Sequence, residues 1–264
     1  MITVSTITVY PIKACAGVKV DRLQLDRLGP VHDRRFMIVG EDGVVLTQRD
    51  ARSLRMVMPK IQDGGLTVHA PNKDPLIVPF IQPDRPVQVK IWNDICTAVD
   101  CGSEAAEWFS GYLGRTSRLV YANQEFSRPV DRTYASDNDH TSFSDGFPLL
   151  LISEESLNEL NSRLQIPIMM EQFRPNLVVR GCKAYAEDTW RKIRIGKSAL
   201  SVVKPCARCV VTTINPQTGE TSTEPLKTLA MYRRDKSGGV LFGQNVIHHD
   251  KSGSISIGDV VTLL

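Results

Sequence analysis

Val87-Gln88-Val89-Lys90-Ile91-Trp92-Asn93-Asp94-Ile95-Cys96-Thr97-Ala98-Val99 is the stretch that decides the fold. Residues 87–91 and 96–99 are short runs rich in β-branched and apolar side chains, and Trp92-Asn93-Asp94 between them is a turn signal. The pattern repeats on either side of it. Residues 2–9, 18–25, 35–39, 44–47 and 66–70 are runs of the same kind, separated by Glu41-Asp42-Gly43, Asp63-Gly64-Gly65 and Pro71-Asn72-Lys73. Strands at this spacing predict a β-barrel or a β-sandwich. The first helix is expected after them, capped by Ser103, with Trp108, Phe109, Tyr112 and Leu113 on one face.

Residues 123–146 are polar and carry no apolar period. They read as a long loop, and loops of that length either carry function or join domains. The boundary is placed there, giving an N-terminal β domain over 1–122 and a second domain over 123–264. A helix starts at Ser153, with Glu154 and Glu155 in its first turn and Leu157, Leu160 and Leu164 as its buried stripe. Strand-like runs then return at 177–179, 193–195, 200–203, 210–214 and 260–263, with a short helix beginning at Pro225. The fold class is therefore mainly β with a few helices, α+β.

The bulk numbers narrow the function. The chain has 264 residues, 42% hydrophobic and 23% charged, values of an ordinary soluble protein. Its net charge of +3 comes from scattered basic residues, which argues against a nucleic-acid partner. The longest apolar run, 147–152, is far below the roughly 20 residues that cross a bilayer, so no membrane segment is expected. The N-terminus alternates like a strand and shows no secretion signal. The six cysteines are accordingly expected as free thiols in a reducing cytoplasm. No Walker A sequence and no G-x-G-x-x-G occurs.

The chemistry concentrates in Lys204-Pro205-Cys206-Ala207-Arg208-Cys209. Two thiols lie three positions apart beside two cations, and a nearby cation favours thiolate. A zinc site needs four ligands, but this is the sole C-x-x-C and His248-His249 are adjacent, which is not ligand spacing. A thioredoxin-like dithiol belongs at a helix start, whereas residues 210–214 have strand composition. Two ordinary buried cysteines remain possible, against which the flanking Lys204 and Arg208 count. The fourth reading is one thiolate on a metal held mainly by an organic anion. Such an anion needs basic partners. Candidates are Phe173-Arg174-Pro175-Asn176, where Pro175 is expected to keep Arg174 extended, and the cluster Pro11-Ile12-Lys13, Asp33-Arg34 and Thr47-Gln48-Arg49.

These segments, together with Glu187-Asp188-x-Trp190, Ile195-Gly196, Thr228-Leu229 and Phe242-Gly243-Gln244-Asn245, stand in one order along the whole chain. In this they resemble the MOSC-domain proteins with an N-terminal MOSC β-barrel domain, which include the mitochondrial amidoxime-reducing component and bacterial reductases of N-hydroxylated bases. The resemblance implies a β-barrel MOSC domain after a β-barrel-like N-terminal domain. It implies the molybdenum cofactor, a phosphate-bearing pyranopterin whose molybdenum takes one protein cysteine, here Cys209. Lys13 and Arg34 are expected on the phosphate, Arg174 and Asn176 on the pterin, and Ser144 and Arg208 as further cofactor contacts. Asp145 is a candidate proton donor near the metal. Cys15 is a candidate to line the same pocket; Cys182 is equally a site residue or a packing residue.

Two departures stand out. Ala14 replaces the serine that many relatives carry after the lysine. The chain also lacks a C-terminal ferredoxin-like cysteine cluster, so electrons are expected from a separate iron–sulfur or flavin protein. The implied activity is reduction of amidoximes, hydroxylamines or N-hydroxylated base analogues to amines. The alternative is a cofactor or sulfur carrier with a persulfide on Cys209 and no turnover.

Overall fold

The computed structural model describes residues 1–264 and contains eighteen strands and three α-helices. Its C-terminal half builds a closed barrel. The hydrogen-bonded order is Val261–Leu263, Lys192–Ile195, Ser198–Arg208, Val240–His248, Leu149–Ser153, Leu177–Arg180 and Thr3–Val9. The ring closes between its two ends: Thr3 bridges Val260, Val4 N donates to Asp259 O, and Val261 N donates to Ile2 O. The N-terminal strand is thus a stave of the C-terminal barrel. The eighth strand of the sheet, Val18–Val20, pairs with the other end of Thr3–Val9 and is the sheet's terminal strand.

Alternation explains the barrel interior. Leu149 and Leu151, Leu177 and Val179, Ile193 and Ile195, and Leu200 and Val202 point inward together, each pair two residues apart. The intervening Leu150 and Ile152 are also buried, because Leu160, Phe173, Leu229 and Phe242 cover the outer face. A strand covered on both faces reads as a continuous apolar run, which is why 147–152 shows no period.

The N-terminal half makes a second, smaller ring. Phe36–Gly40, Ser117–Tyr121, Asp94–Asp100 and Pro86–Ile91 form a four-stranded antiparallel sheet. Val44 bridges Lys90 and Val45 bridges Val39, so the segment expected as a strand over 44–47 closes this ring with two isolated bridges. Phe36 and Ile38 face one apolar cluster while Met37 and Val39 face another. Trp108 and Phe109 of helix Ser103–Leu113 fill the first of these, against Leu66, Val68, Leu76 and Val78. That helix is capped by Gly102 with no side-chain cap, not by Ser103. Ser153 does cap helix Glu154–Ser162, accepting from Ser156 N. No helix is long and apolar enough to cross a membrane.

One expected strand is absent. Val210–Thr213 is a 3-10 turn, with Cys209 at its N-cap position. Thr212 Oγ1 donates to the Cys209 carbonyl at 2.9 Å and Thr213 Oγ1 to the Val210 carbonyl at 2.8 Å. Back-bonding hydroxyls outweigh the β propensity of the Val-Val-Thr-Thr composition here.

Candidate functional site

Where the chain passes between the two rings, a cavity of about 360 Å³ opens, a size that holds a small-molecule cofactor. Lys13, Arg34, Ser144, Asp145, Arg174, Asn176, Arg208 and Cys209 all line it. Lys13 arrives just after Ile12 bridges Phe36, the point where the first barrel stave hands over to the N-terminal ring. Arg34 directly precedes that ring's first strand. Arg174 and Asn176 lead into Leu177–Arg180, and Arg208 and Cys209 end the long stave Ser198–Arg208. Four separate segments thus converge on one hollow.

The backbone there is unusual. Seven non-glycine residues have left-handed φ, and four of them, Ala14, Arg34, Trp92 and Arg174, line the cavity. Each such residue costs of order 1 kcal/mol or more, and persists only where surrounding contacts over-determine it. Those contacts are visible. Arg34 N donates to the Tyr10 carbonyl at 2.7 Å, and its Nη1 donates to Asp33 Oδ2 at 2.6 Å and Asn176 Oδ1 at 3.0 Å. Arg174 Nη1 donates to the Cys15 carbonyl at 2.6 Å. Both guanidiniums lie over the Tyr10 ring, at 4.3 and 4.2 Å.

Asn176 is the hub of this floor. Its Nδ2 donates to Thr8 O at 3.1 Å and Asp33 Oδ1 at 3.0 Å, while its Oδ1 accepts from Arg34 and from Leu150 N. Both donors and both lone pairs are spent, so Asn176 orients Asp33 and Arg34 and has nothing left for a bound group. Asp33, 1% exposed, also accepts Tyr10 N at 2.8 Å. Asp33, quoted in sequence as the neighbour of Arg34 with no role of its own, is the buried acceptor of the floor.

The loop 123–148 contains no helix or regular strand, and its far end forms one wall. Arg128, buried and paired with Asp94 at 2.7 Å, donates to the Ser142, Ser144 and Asp145 carbonyls. It fixes the backbone that presents Asp145. Ser144 Oγ shares a 2.5 Å hydrogen bond with Thr141 Oγ1.

Lys13 Nζ meets Asp145 Oδ1 at 2.6 Å; the lysine side chain is 7% exposed and the carboxylate 85%. The aspartate projects into the solvent-open hollow, whose lining includes Lys13, Arg34 and Arg174. Burial opposes its ionisation, but Lys13, Arg34 and Arg174 outweigh that and hold its carboxyl well below the usual carboxylate range. It is therefore ionised at neutral pH. Burial pulls the Lys13 ammonium down, with Asp145 opposing. Burial and the neighbouring Arg55 lower the Arg174 guanidinium to about 9, which leaves it charged at pH 7.

The cysteines separate clearly. All six are free, and Cys209 alone is exposed. Arg208 Nη1 donates to Cys206 Sγ at 2.9 Å and its Nη2 to the Phe173 carbonyl at 2.5 Å, so the adjacent cation faces the first sulfur of the pair. Cys15 sits in the apolar core, not in the cavity; burial pushes its thiol up to about 12. Cys182 lies away from the cavity, donates to Glu155 Oε2 at 3.6 Å, and is raised by burial to about 11. Glu187 caps the buried Ser153 and Ser156 hydroxyls, and Trp190 packs in the barrel core.

No group of three or more His, Cys, Asp or Glu side chains is arranged to hold a metal ion. Cys209 therefore has no partner side chains with which to form a metal site of three or more such ligands. The cavity fits a bound organic group if it is anionic: five basic residues line it against one carboxylate. Buried Arg208 Nε and Gln48 Oε1, both on the lining, have no protein partner and remain for a ligand's acceptor and donor.

Comparison with known proteins agrees with this architecture. Residues 1–116 match the MOSC N-terminal beta barrel domain and residues 138–262 the MOSC domain. The chain is 37% identical to mitochondrial amidoxime reducing component 2 of Rattus norvegicus, covering 98% of this chain and 82% of that protein. It is 35% identical to mitochondrial amidoxime-reducing component 1 of Mus musculus, over 99% and 82%. The human component 1 is 33% identical, over 99% and 83%. The chain belongs to this MOSC family. The two matched domains follow the order of the two rings along the chain.

Proposed function

We propose that this MOSC protein is a molybdenum-cofactor-dependent oxidoreductase that reduces N-hydroxylated compounds, such as amidoximes and hydroxylamines, to the corresponding amines. The observation that carries it is the meeting of one exposed thiol with five basic residues in a single cavity that has no metal-ligand set of its own. The names of the relatives support the substrate class.

When bound, the cofactor supplies a metal centre able to carry two electrons. Cys209 is the protein's sulfur ligand to it, a soft donor suited to a sulfur-bound metal. Lys13 and Arg34 hold the phosphate and Arg174 the pterin, with Asn176 and Asp33 keeping Arg34 aimed. Arg208 Nε and Gln48 Oε1 complete the contacts. Reduction of R–NHOH consumes two electrons and two protons and releases R–NH2 and water. The electrons come from a separate iron–sulfur or flavin protein. Asp145, ionised and open to solvent, orients the water that delivers protons to the nitrogen and to the departing oxygen.

Protein expressed with molybdate should contain equimolar molybdenum and pterin, and should reduce benzamidoxime with an artificial electron donor. Metal-loaded protein that turns over no N-hydroxylated compound, but carries a persulfide on Cys209 by mass spectrometry, would transfer the assignment to a sulfur carrier.

A further inference from the structure

Four of the five cavity cations are already committed. Lys13 pairs with Asp145, Arg34 with Asp33, Arg174 with the Cys15 carbonyl, and Arg208 with the Phe173 carbonyl. The fifth, Arg49, makes no side-chain hydrogen bond or ion pair to any protein acceptor; its recorded bond is its backbone N–H to Thr47 Oγ1. It is exposed, yet it lines the cavity. Its guanidinium rests 4.7 Å over the ring of Trp92.

That contact is built. Trp92 sits at the tip of the hairpin Pro86–Ile91 and Asp94–Asp100, with φ of 55°, a conformation that bulky residues avoid. The strained turn delivers a half-buried indole to the cavity. A guanidinium stacked on an aromatic face is held by that face and keeps its N–H edge free for a two-point contact with a carboxylate or phosphate. Lys13, by contrast, is buried and Arg34 only partly exposed, positions where an anion bound for the life of the protein is best held. A cation free at an exposed position suits an anion that arrives and leaves.

We infer that Arg49, stacked on Trp92, is a specificity-determining residue that docks an acidic group of the substrate. The preferred substrate is then a planar N-hydroxylated compound bearing a carboxylate or phosphate apart from its N–O group. This rests on the reductase reading above.

The test uses cofactor-loaded protein with two probes, benzamidoxime and 4-carboxybenzamidoxime, and measures the ratio of their kcat/KM values. A parallel calorimetric titration compares the redox-inert benzamidine and 4-carboxybenzamidine. The native chain should favour the carboxylated probe by roughly tenfold or more in both assays, the scale of a charge-assisted hydrogen bond. Arg49→Ala should bring the ratio near unity, and Arg49→Lys should keep part of it, because a point charge replaces the fork. Equal ratios in the native chain and Arg49→Ala would overturn the inference. So would Arg49→Ala protein purified without its pterin, since Arg49 would then grip the cofactor. If neither amidoxime is reduced while the titration still shows an Arg49-dependent preference, the docking site stands and the reductase reading falls. Turnover of both probes without preference gives the reverse.

Discussion

The cavity has a floor and a rim, and they handle charge in opposite ways. On the floor, Lys13, Asp33, Arg34 and Arg174 are removed from bulk water, and every one has a fixed partner. At the rim, Cys209 and Arg49 are exposed and their side chains are unspent. A buried charge is tolerated only when its hydrogen-bonding capacity is satisfied by the protein. The floor is therefore permanent structure that also presents positive potential. The rim, with water as its default partner, is free to exchange that water for a bound group. Fixed groups give a site its shape and uncommitted groups give it its reactions.

Cys209→Ala tests the rim most severely. It should reduce turnover to background and prevent retention of molybdenum, while changing the unfolding free energy by less than about 0.5 kcal/mol, as exposed positions do. Denaturant melts and metal analysis of the same preparation check both halves. Normal turnover in that variant would remove Cys209 as the metal ligand.

The floor should respond the other way round. Asp33→Ala strands Arg34 and leaves Tyr10 N and Asn176 Nδ2 without their acceptor, so it should destabilise the fold by roughly 3–5 kcal/mol. Equilibrium urea unfolding measures this. A loss below about 1 kcal/mol would mean that the floor is not the prestressed scaffold described above.

A buried group outside the cavity sharpens the contrast, because it survives burial by being neutral. His248 is fully buried with its Nε2 2.6 Å from the Asp26 carbonyl, and burial, reinforced by Lys251, lowers it to about 4. Its folded value is below the unfolded one near 6.5, so the folded state binds the fewer protons. Its contribution is intact above pH 6.5 and is lost as pH falls toward 4, amounting to roughly 3 kcal/mol by that limit. Chemical denaturation at a series of pH values should show this slope in the native chain and a flattened one in His248→Gln.

The smallest stability effect is expected at Lys13. Lys13→Met keeps the volume, removes a buried charge, and leaves Asp145 exposed to water. The net change should lie within about 1 kcal/mol of zero, whereas pterin content of the purified protein should drop. A variant with full pterin content would take Lys13 off the phosphate.

Some of the fold was legible because its signal is local. Runs such as 87–91 and 177–179 carry β-branched residues with turn chemistry beside them, and both are strands. Other elements were hidden for identifiable reasons. Met58–Gln62 contains Pro59, which weakens a strand reading. Val240–His248 carries Gly243 at φ 76°, where a Cβ would come within 2.6 Å of Ile152 Cγ1. The glycine that breaks the pattern is required by the closeness of the neighbouring stave. At the site, the eight residues singled out were found in one cavity, but Asp33, Arg128, Gln48 and Trp92 were not among them. Their parts are set by partners more than twenty residues away, such as the Ala14 carbonyl that accepts from Gln48 Nε2, and no spacing rule encodes that.

The amino-acid order by itself determined many of the segments that extend, where the long loop falls, and which residue types carry reactive sulfur and positive charge. These depend on neighbours a few positions apart. Only the folded molecule decided that the first strand belongs to the last barrel, that Asn176 serves Arg34 and Asp33 with every hydrogen bond it has, and that three cations hold the Asp145 carboxyl below the usual carboxylate range. Each of those follows from distance and burial between segments remote in the chain, and electrostatic energy depends on separation in space, not in sequence.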